Sequence, residues 1–231
     1  MSDAFQIGPF ILKTSTLAAI ISLAIGFLMI TIRLKNEREA RKAIIEMLGN
    51  AVLLAFLIWK LSFVLLHFSK AIENPATILY FSGGVIGAWL AGVAVAVYLT
   101  KSVKKKGIPI HLVVLAIATG FLAAQGIHHL LTIAMDNTGI WLHVQQVAIS
   151  AVFMWWLFHT KQGLTSIPDW LSLVLWFAIS QIYVLFFIEA REVWVLGLSQ
   201  EQVAYYLLSL LLLFLSTRVQ TQEVGGSANE T

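Results

Sequence analysis

The chain contains no cysteine, and only 12% of its 231 residues are charged. The absence of cysteine excludes disulfides, thiolate nucleophiles and cysteine-ligated metals at once. The scarcity of charge, together with 59% apolar residues and a mean hydropathy of +0.85, excludes an ordinary soluble domain. Several apolar runs reach about 20 residues, the length that a helix needs to cross a bilayer. The sequence therefore indicates a polytopic membrane protein.

Seven apolar runs, separated by polar or turn-forming residues, predict an all-α membrane protein with seven transmembrane helices. The first run is too long for the apolar core of a signal peptide, so we expect a retained anchor helix. Two runs follow recognisable start signals, Ser166–Asp169 and the capping box Ser199–Gln202. The predicted helices are Thr14–Leu34, Met47–Phe68, Ile78–Tyr98, His111–Ala134, Ile140–Phe158, Trp170–Ile188 and Gln202–Leu215.

Basic residues concentrate in alternate loops, which sets the predicted orientation. By the positive-inside rule, the N-terminus is outside and the C-terminus is cytoplasmic. This orientation accounts for the net charge of +3 without nucleic-acid binding. We expect one membrane domain over residues 1–218 and a disordered cytoplasmic tail over 219–231. The predicted cytoplasmic cations are Arg33, Lys35, Arg38, Arg41, Lys42, Lys101, Lys104, Lys105, Lys106, Lys161 and Arg218, against Lys13, Lys70 and Arg191 outside.

Lys60 lies inside the otherwise apolar run Met47–Phe68. A cation near the centre of a membrane helix costs about 2.5–3.5 kcal/mol on insertion scales. Lys60 is eight residues from Phe68, about 12 Å at 1.5 Å per residue, which exceeds the reach of a snorkelling lysine. We therefore expect a partner, a water-filled cavity or an anionic ligand, with Glu189 as the partner if no ligand is present.

Further polar side chains fall in the outer halves of four predicted helices or just outside them. One interpretation is hydrogen bonding between helices. Another is a cavity for an anionic phospholipid, with histidines as general bases. A haem or metal is disfavoured because the adjacent His128 and His129 diverge by about 100° on a helix, so we predict no cofactor and no metal. The residues are His67, Gln125, His128, His129, Thr132, Asp136, His143, Gln145, Gln146, Ser150, Ser180, Gln181 and Glu189.

The third predicted helix carries small residues at helical spacing. Small residues at intervals of three and four allow neighbouring helices to approach closely. We interpret them as a packing surface, and a backbone-lined lipid groove is the functional alternative. They are Gly83, Gly84, Gly87, Ala88, Ala91 and Gly92.

Several segments resemble the bacterial prolipoprotein diacylglyceryl transferase family, which moves a diacylglyceryl group from phosphatidylglycerol to a lipobox cysteine thiol. The resemblance spans most of the chain and is strongest in the third predicted helix. It implies a seven-helix bundle with the N-terminus outside. Three segments look like particular family motifs: Phe5–Phe10 like the opening Ile-Gly-Pro, Asn74–Gly87 like the Phe-His-Gly-Gly-Leu-Ile-Gly helix, and His143–Gln146 like His-Pro-Ser-Gln. The other similar segments are Trp59–Leu65, Lys106–Pro109 and Gly197–Gln202.

The chain departs from that family at the positions that carry its chemistry. Lys60 stands where the family usually has an arginine, and it keeps a charge without the planar fork. Ser82 takes the place of the histidine before Gly-Gly, and Gln125 falls where the essential arginine belongs. A later arginine would fall near Leu185. Because such cations neutralise the departing glycerol phosphate, the resemblance predicts a lipid-binding bundle without the ordinary transferase chemistry.

The expected function is binding of an anionic phospholipid, or a lipidated partner, from the outer leaflet of the bacterial cytoplasmic membrane. One alternative is an active phosphatidylglycerol-dependent glyceryl or acyl transferase, with His128 or His129 as its base. Another is a membrane scaffold or assembly factor for exported proteins, whose partner is an exported lipoprotein or a thiol-redox protein. The residues expected to line the lipid site are Lys60, Ser82, Gln125, His143 and Gln146.

Overall fold

Each apolar run of the sequence corresponds to one helix of the structure, a computed structural model that describes residues 4–7, 10–66, 83–135, 139–160, 166–188, 193–195 and 197–227. Three helices extend well beyond a predicted bound: α2 begins at Arg38 rather than Met47, α3 ends at Lys106 rather than Tyr98, and α7 ends at Ser227 rather than Leu215. The predicted start of the third helix, Ile78, lies outside the described residues. The helices are α1 Thr14–Arg33, α2 Arg38–Leu66, α3 Gly84–Lys106, α4 Ile110–Met135, α5 Ile140–His159, α6 Ile167–Leu185 and α7 Gln200–Ser227.

Six of these helices, α1 to α6, are long and apolar enough to cross a membrane. Their length and composition identify a multi-pass membrane protein, because an apolar helix satisfies its backbone polar groups internally where no water can. The helix α7 is not among the six, and Glu201 and Arg218 bound its apolar stretch. A seventh crossing and the orientation of the bundle stay predictions.

The start signals read from the sequence are confirmed at two helices. At α6, the backbone N–H of Asp169 donates to Ser166 Oγ at 3.3 Å, with proline in the first turn. At α7, Ser199 N donates to Gln202 Oε1 at 2.9 Å and Gln202 N donates to Ser199 Oγ at 3.3 Å. This is the reciprocal arrangement of a capping box, which satisfies two N–H groups that the helix itself leaves unpaired.

A short β-hairpin precedes α1, and the sequence analysis did not predict it. Strand β1, Ala4–Ile7, pairs antiparallel with strand β2, Phe10–Lys13. The register places Ala4 opposite Lys13 and Ile7 opposite Phe10. Apolar and polar residues do not alternate strictly in this segment, so the period-two signal on which strand prediction depends is weak here.

The chain divides into two compact units. The first unit is Met1–Arg33 with Ile117–Thr231, and the second is Leu34–Ala116. The first unit therefore contains α1, most of α4, and α5 to α7, whereas the second contains α2, α3 and the start of α4. The predicted single membrane domain and the predicted tail at 219–231 stay predictions.

Within the second unit, α2 packs closely against α3 through two glycines. A β-carbon on Gly83 or Gly87 would collide with Ser62 Oγ. The carbonyl of Trp59 accepts hydrogen bonds from Ser62 Oγ at 2.7 Å and from Gly83 N at 3.0 Å. The packing role predicted for small residues of the third helix is thus confirmed at these two positions.

Within the first unit, α1 and α4 approach each other at a pair of glycines. A β-carbon on Gly26 would lie 2.8 Å from the carbonyl oxygen of Gly120 and 3.3 Å from Ala124 Cβ. A β-carbon on Gly120 would lie 2.7 Å from Ile30 Cδ1. This contact brings the two backbones together as small residues do in membrane bundles, and it positions α1 beside the polar part of α4.

Candidate functional site

The polar residues of α4 and α5 meet because the two helices form an antiparallel pair. Residues 136–139 connect α4 to α5. Three contacts join the two helices at increasing distance from this connection. His129 contacts His143, Gln125 contacts Gln146, and the backbone of Gly126 lies close to Ser150. A step back along α4 is matched by a step forward along α5, as an antiparallel hairpin requires. The cluster therefore lies in the half of the pair nearest the connection.

His129 and His143 form a hydrogen-bonded imidazole pair. Their Nδ1 atoms are 2.8 Å apart, and the ring centroids are 5.0 Å apart at an interplanar angle of 34°. Such a contact requires one Nδ1 to carry a proton and the other to accept it. When both rings are neutral, one ring has a free Nε2 acceptor and the other an Nε2–H donor. The pair can therefore offer an acid at one Nε2 and a base at the other.

His128 is not part of this pair. Its ring lies 5.8 Å from that of His129, at 65°, and its carbonyl accepts a hydrogen bond from Thr132 Oγ1 at 2.8 Å. Neighbouring residues on a helix point about 100° apart, so only one of these two histidines can face α5 directly. The sequence left the choice between them open, and the tertiary structure selects His129.

A chain of glutamines links α4, α5 and α6. Gln125 Nε2 donates to Gln146 Oε1 at 2.7 Å, and Gln146 Nε2 donates to Gln181 Oε1 at 2.9 Å. Gln181 Nε2 also donates to Gln146 Oε1, at 3.2 Å. Gln146 and Gln181 are buried. Hydrogen bonding between helices, one of the interpretations drawn from the sequence, is confirmed for these three side chains.

Three buried polar atoms near or along this cluster have no hydrogen-bond partner within the described part of the chain: Gln125 Oε1, Gln145 Oε1 and Ser150 Oγ. Each such group costs about 1–3 kcal/mol if it stays unpaired. Native interiors usually satisfy such groups with protein atoms, ordered water or a ligand. The glutamine chain thus leaves one acceptor of Gln125 available for a donor.

An apolar groove of about 250 Å³ lies beside the cluster, between α1, α4 and α5. On α5 it is lined by a helical face that includes Val147, Ser150 and Met154. His143 precedes Val147 by one turn, so it continues the same face at the end of the groove nearest the imidazole pair. The remaining lining residues are Ile25, Met29, Leu122, Ala123, Gly126, Ile127, Leu130 and Ala151.

Lys60, the cation predicted to line the lipid site, lies on α2 in the second unit and is half-buried. The imidazole pair and the glutamine chain belong to the first unit, so a shared site stays a prediction. Four residues singled out in the sequence lie outside the described residues: His67, Ser82, Asp136 and Glu189.

A metal centre is not evident in the described ranges. Among these residues, no group of three or more histidine, aspartate or glutamate side chains is arranged to hold a metal ion. The two closest imidazoles, His129 and His143, instead satisfy each other. Hydrogen bonding and proton exchange are therefore the chemistry that the cluster offers directly.

The chain matches no protein-family model, and no curated protein matches it in sequence. The transferase resemblance therefore rests on the segments quoted above, and the role of the cluster must be argued from its own geometry.

Proposed function

We propose that this multi-pass protein binds an anionic phospholipid in the bacterial cytoplasmic membrane, as a divergent relative of the prolipoprotein diacylglyceryl transferases. In this proposal the lipid enters from the outer leaflet. One acyl chain occupies the groove of the first unit, and the polar headgroup contacts the imidazole pair of His129 and His143. The orientation with the N-terminus outside and seven crossings belongs to the same proposal.

The observation that carries the proposal is the position of the groove beside the imidazole pair, since Leu130, which lines it, follows His129 directly and Val147, which also lines it, follows His143 by one turn. Leu122 and Leu130 mark the extent of the groove on α4, and eight residues correspond to about 12 Å along the helix. A phospholipid has the same division, with a long apolar chain attached to a polar, hydrogen-bonding headgroup. Ser150 Oγ, buried and without a partner among the described residues, offers a donor for an ester carbonyl along that chain.

In the same proposal, Lys60 binds the negatively charged part of the headgroup. Ionisable residues within membrane helices commonly mark ligand sites, and in this proposal Lys60 contacts the anionic group of the lipid. Because Lys60 is in the second unit, its role is tested separately from that of the imidazole pair.

The test is native mass spectrometry of the gently purified protein, with extraction and identification of co-purified lipid. Wild type is expected to retain phosphatidylglycerol, and Lys60→Met and His143→Ala are each expected to lose it. His111→Ala is the matched histidine control, because His111 is exposed at the start of α4. Its lipid content should equal that of wild type.

A second pair of variants tests the groove itself. Ala151→Leu adds volume to a groove-lining position, whereas Val152→Leu enlarges an exposed neighbour on the same helix. Only the first should reduce the retained lipid. Equal lipid content in wild type, His143→Ala and Ala151→Leu would contradict the proposed site.

An enzyme is the second candidate, and the imidazole pair favours it. In a glyceryl transfer, one imidazole would accept the proton of an acceptor thiol, the sulfur would bond to the glyceryl carbon, and the carbon–oxygen bond to phosphate would break. Glycerol phosphate would then leave. Turnover of labelled phosphatidylglycerol with a lipobox peptide, lost in His129→Ala and kept in His128→Ala, would establish this reaction; no turnover in wild type would reject it.

A further inference from the structure

Arg33, the last residue of α1, contacts the end of α5. Its Nη2 donates to the carbonyl oxygen of Leu157 at 3.0 Å, and its guanidinium carbon lies 5.4 Å from the centroid of the Phe158 ring. The last carbonyls of a helix carry partial negative charge and lack partners within the helix. The neighbouring carbonyl oxygen of Trp156 accepts two hydrogen bonds from Thr160, one from its backbone N–H and one from its hydroxyl. Arg33 thus completes the C-terminal cap of α5.

In this arrangement one N–H donor of the Arg33 guanidinium makes no hydrogen bond to the described residues. The Nε–H is buried and has no hydrogen-bond partner within the described part of the chain. An unpaired buried donor of a charged group costs more free energy than one of a neutral group. The guanidinium presents Nε–H and a neighbouring Nη–H along one edge, a planar fork that fits two oxygens of a phosphate.

The surroundings are those of a membrane–water interface. Arg33 ends a membrane-spanning helix, and its contacts lie in the last turn of another. In that same turn the exposed Trp155 stacks on His159, with centroids 4.4 Å apart. Tryptophan is enriched at the level of lipid headgroups, and this end of α1 is the one that the loop charges predict to be cytoplasmic. Lipid phosphates are therefore the anions available at this depth.

We propose that Arg33, held by Leu157 O and Phe158, forms a binding site for the phosphate of an anionic phospholipid in the cytoplasmic leaflet. The Nε–H and an Nη–H donate to the phosphate while Nη2 keeps its bond to the α5 carbonyl. This site lies at the opposite end of α5 from the imidazole pair, and its hydrogen bonds do not involve that pair.

Arg218 provides a matched control. It is exposed, and its guanidinium carbon lies 4.7 Å above the ring of Phe214. Both arginines therefore stack on a phenylalanine, but the buried Nε and the bond to a helix carbonyl belong to Arg33. A general attraction of anionic lipid to basic residues would affect the two arginines equally.

The experiment is native mass spectrometry of delipidated protein titrated with phosphatidylglycerol, with phosphatidylcholine as the lipid of no net charge. The titration is run in a His143→Ala background, in which the proposed groove site is disabled, so that the remaining phosphatidylglycerol binding reports on Arg33. Loss of one charge-assisted bidentate contact should weaken that binding about tenfold or more in Arg33→Gln. Arg218→Gln should stay within about twofold of wild type, as expected for an exposed contact. Equal losses in the two variants would overturn the proposal.

Arg33→Lys separates binding from folding. Lysine keeps a cation but cannot hold the α5 carbonyl and grip two phosphate oxygens at once, so its affinity should fall with that of Arg33→Gln while its thermal unfolding stays close to wild type. Wild-type affinity in Arg33→Lys would contradict the role of Nε. Displacement of the lipid by millimolar inorganic phosphate would assign the site to free phosphate instead, and resistance to it supports the lipid. Because the proposed groove site is disabled in the His143→Ala background, phosphatidylglycerol binding that persists there and is lost with Arg33→Gln belongs to this site, whatever the fate of the groove proposal. Absence of phosphatidylglycerol binding in that background would overturn the Arg33 site.

Discussion

The contact between α1 and α4 leads to a quantitative prediction about Gly26. In Gly26→Ala the new β-carbon would lie 2.8 Å from the carbonyl oxygen of Gly120, whereas ordinary contacts begin at 3.4 Å. The helices must separate locally by about 0.6 Å, because a backbone oxygen in a helix cannot rotate away. Overpacking of this kind costs about 1–3 kcal/mol. A gain of about 0.5–1 kcal/mol from replacing glycine inside a helix offsets part of this cost.

Alanine substitutions at two other glycines provide reference values for the loss of stability expected in Gly26→Ala. In Gly120→Ala the nearest obstacle is Ile30 Cδ1 at 2.7 Å, the end of a side chain that can change rotamer, so we expect a smaller loss, below about 1 kcal/mol. Among the described residues, and apart from the neighbouring backbone of its own helix, no atom lies within 4 Å of a β-carbon added at Gly92. Gly92→Ala should therefore stabilise the protein by about 0.5–1 kcal/mol through helix propensity alone.

The assay is reversible unfolding of the purified protein in mixed micelles by increasing mole fractions of dodecyl sulfate, followed by circular dichroism. The expected order of the free energy of unfolding is Gly92→Ala highest, then wild type, Gly120→Ala and Gly26→Ala. A Gly26→Ala protein as stable as Gly92→Ala would refute the close approach of α1 and α4. A uniform loss in all three variants would show that the cost comes from the helices themselves rather than from their packing.

Two further predictions concern the glutamine chain and the topology. Gln146→Leu leaves Gln125 Nε2 without its acceptor, and a double-mutant cycle with Gln125→Leu should give a coupling of about 0.6–1.7 kcal/mol in the same unfolding assay; additive effects would contradict the hydrogen bond seen between them. Because the chain has no cysteine, single cysteines at Lys35, Val193 and Ser227 can be labelled from either side of sealed vesicles. A seventh crossing predicts that the first and third react from the same side and the second from the opposite side, whereas matching accessibility at Val193 and Ser227 would remove α7 from the membrane.

The candidate site shows where local sequence information ends. The sequence identified His128, His129 and His143 as polar residues at similar depth, but adjacent histidines point in different directions on a helix. The angle at which α4 packs on α5 decides that His129 meets His143, and hydropathy carries no information about that angle. The glutamine chain has the same origin, because it joins residues on α4, α5 and α6 that are distant in sequence. In the sequence, Arg33 counts only as one of the loop cations. Its contact with Leu157 depends on how α1 packs against α5 within the first unit.

By itself, the sequence determined the membrane class, the number and approximate bounds of the helices, and the starts of α6 and α7. These properties are local, since a helix in lipid must satisfy its own backbone groups and a cap involves residues within one turn. Tertiary structure alone decided the contact of Gly26 with Gly120, the imidazole pair, the groove beside it and the cap that Arg33 provides. Each of these depends on which faces of distant helices meet, and a periodic apolar sequence that is hydrophobic on most sides leaves that choice to packing.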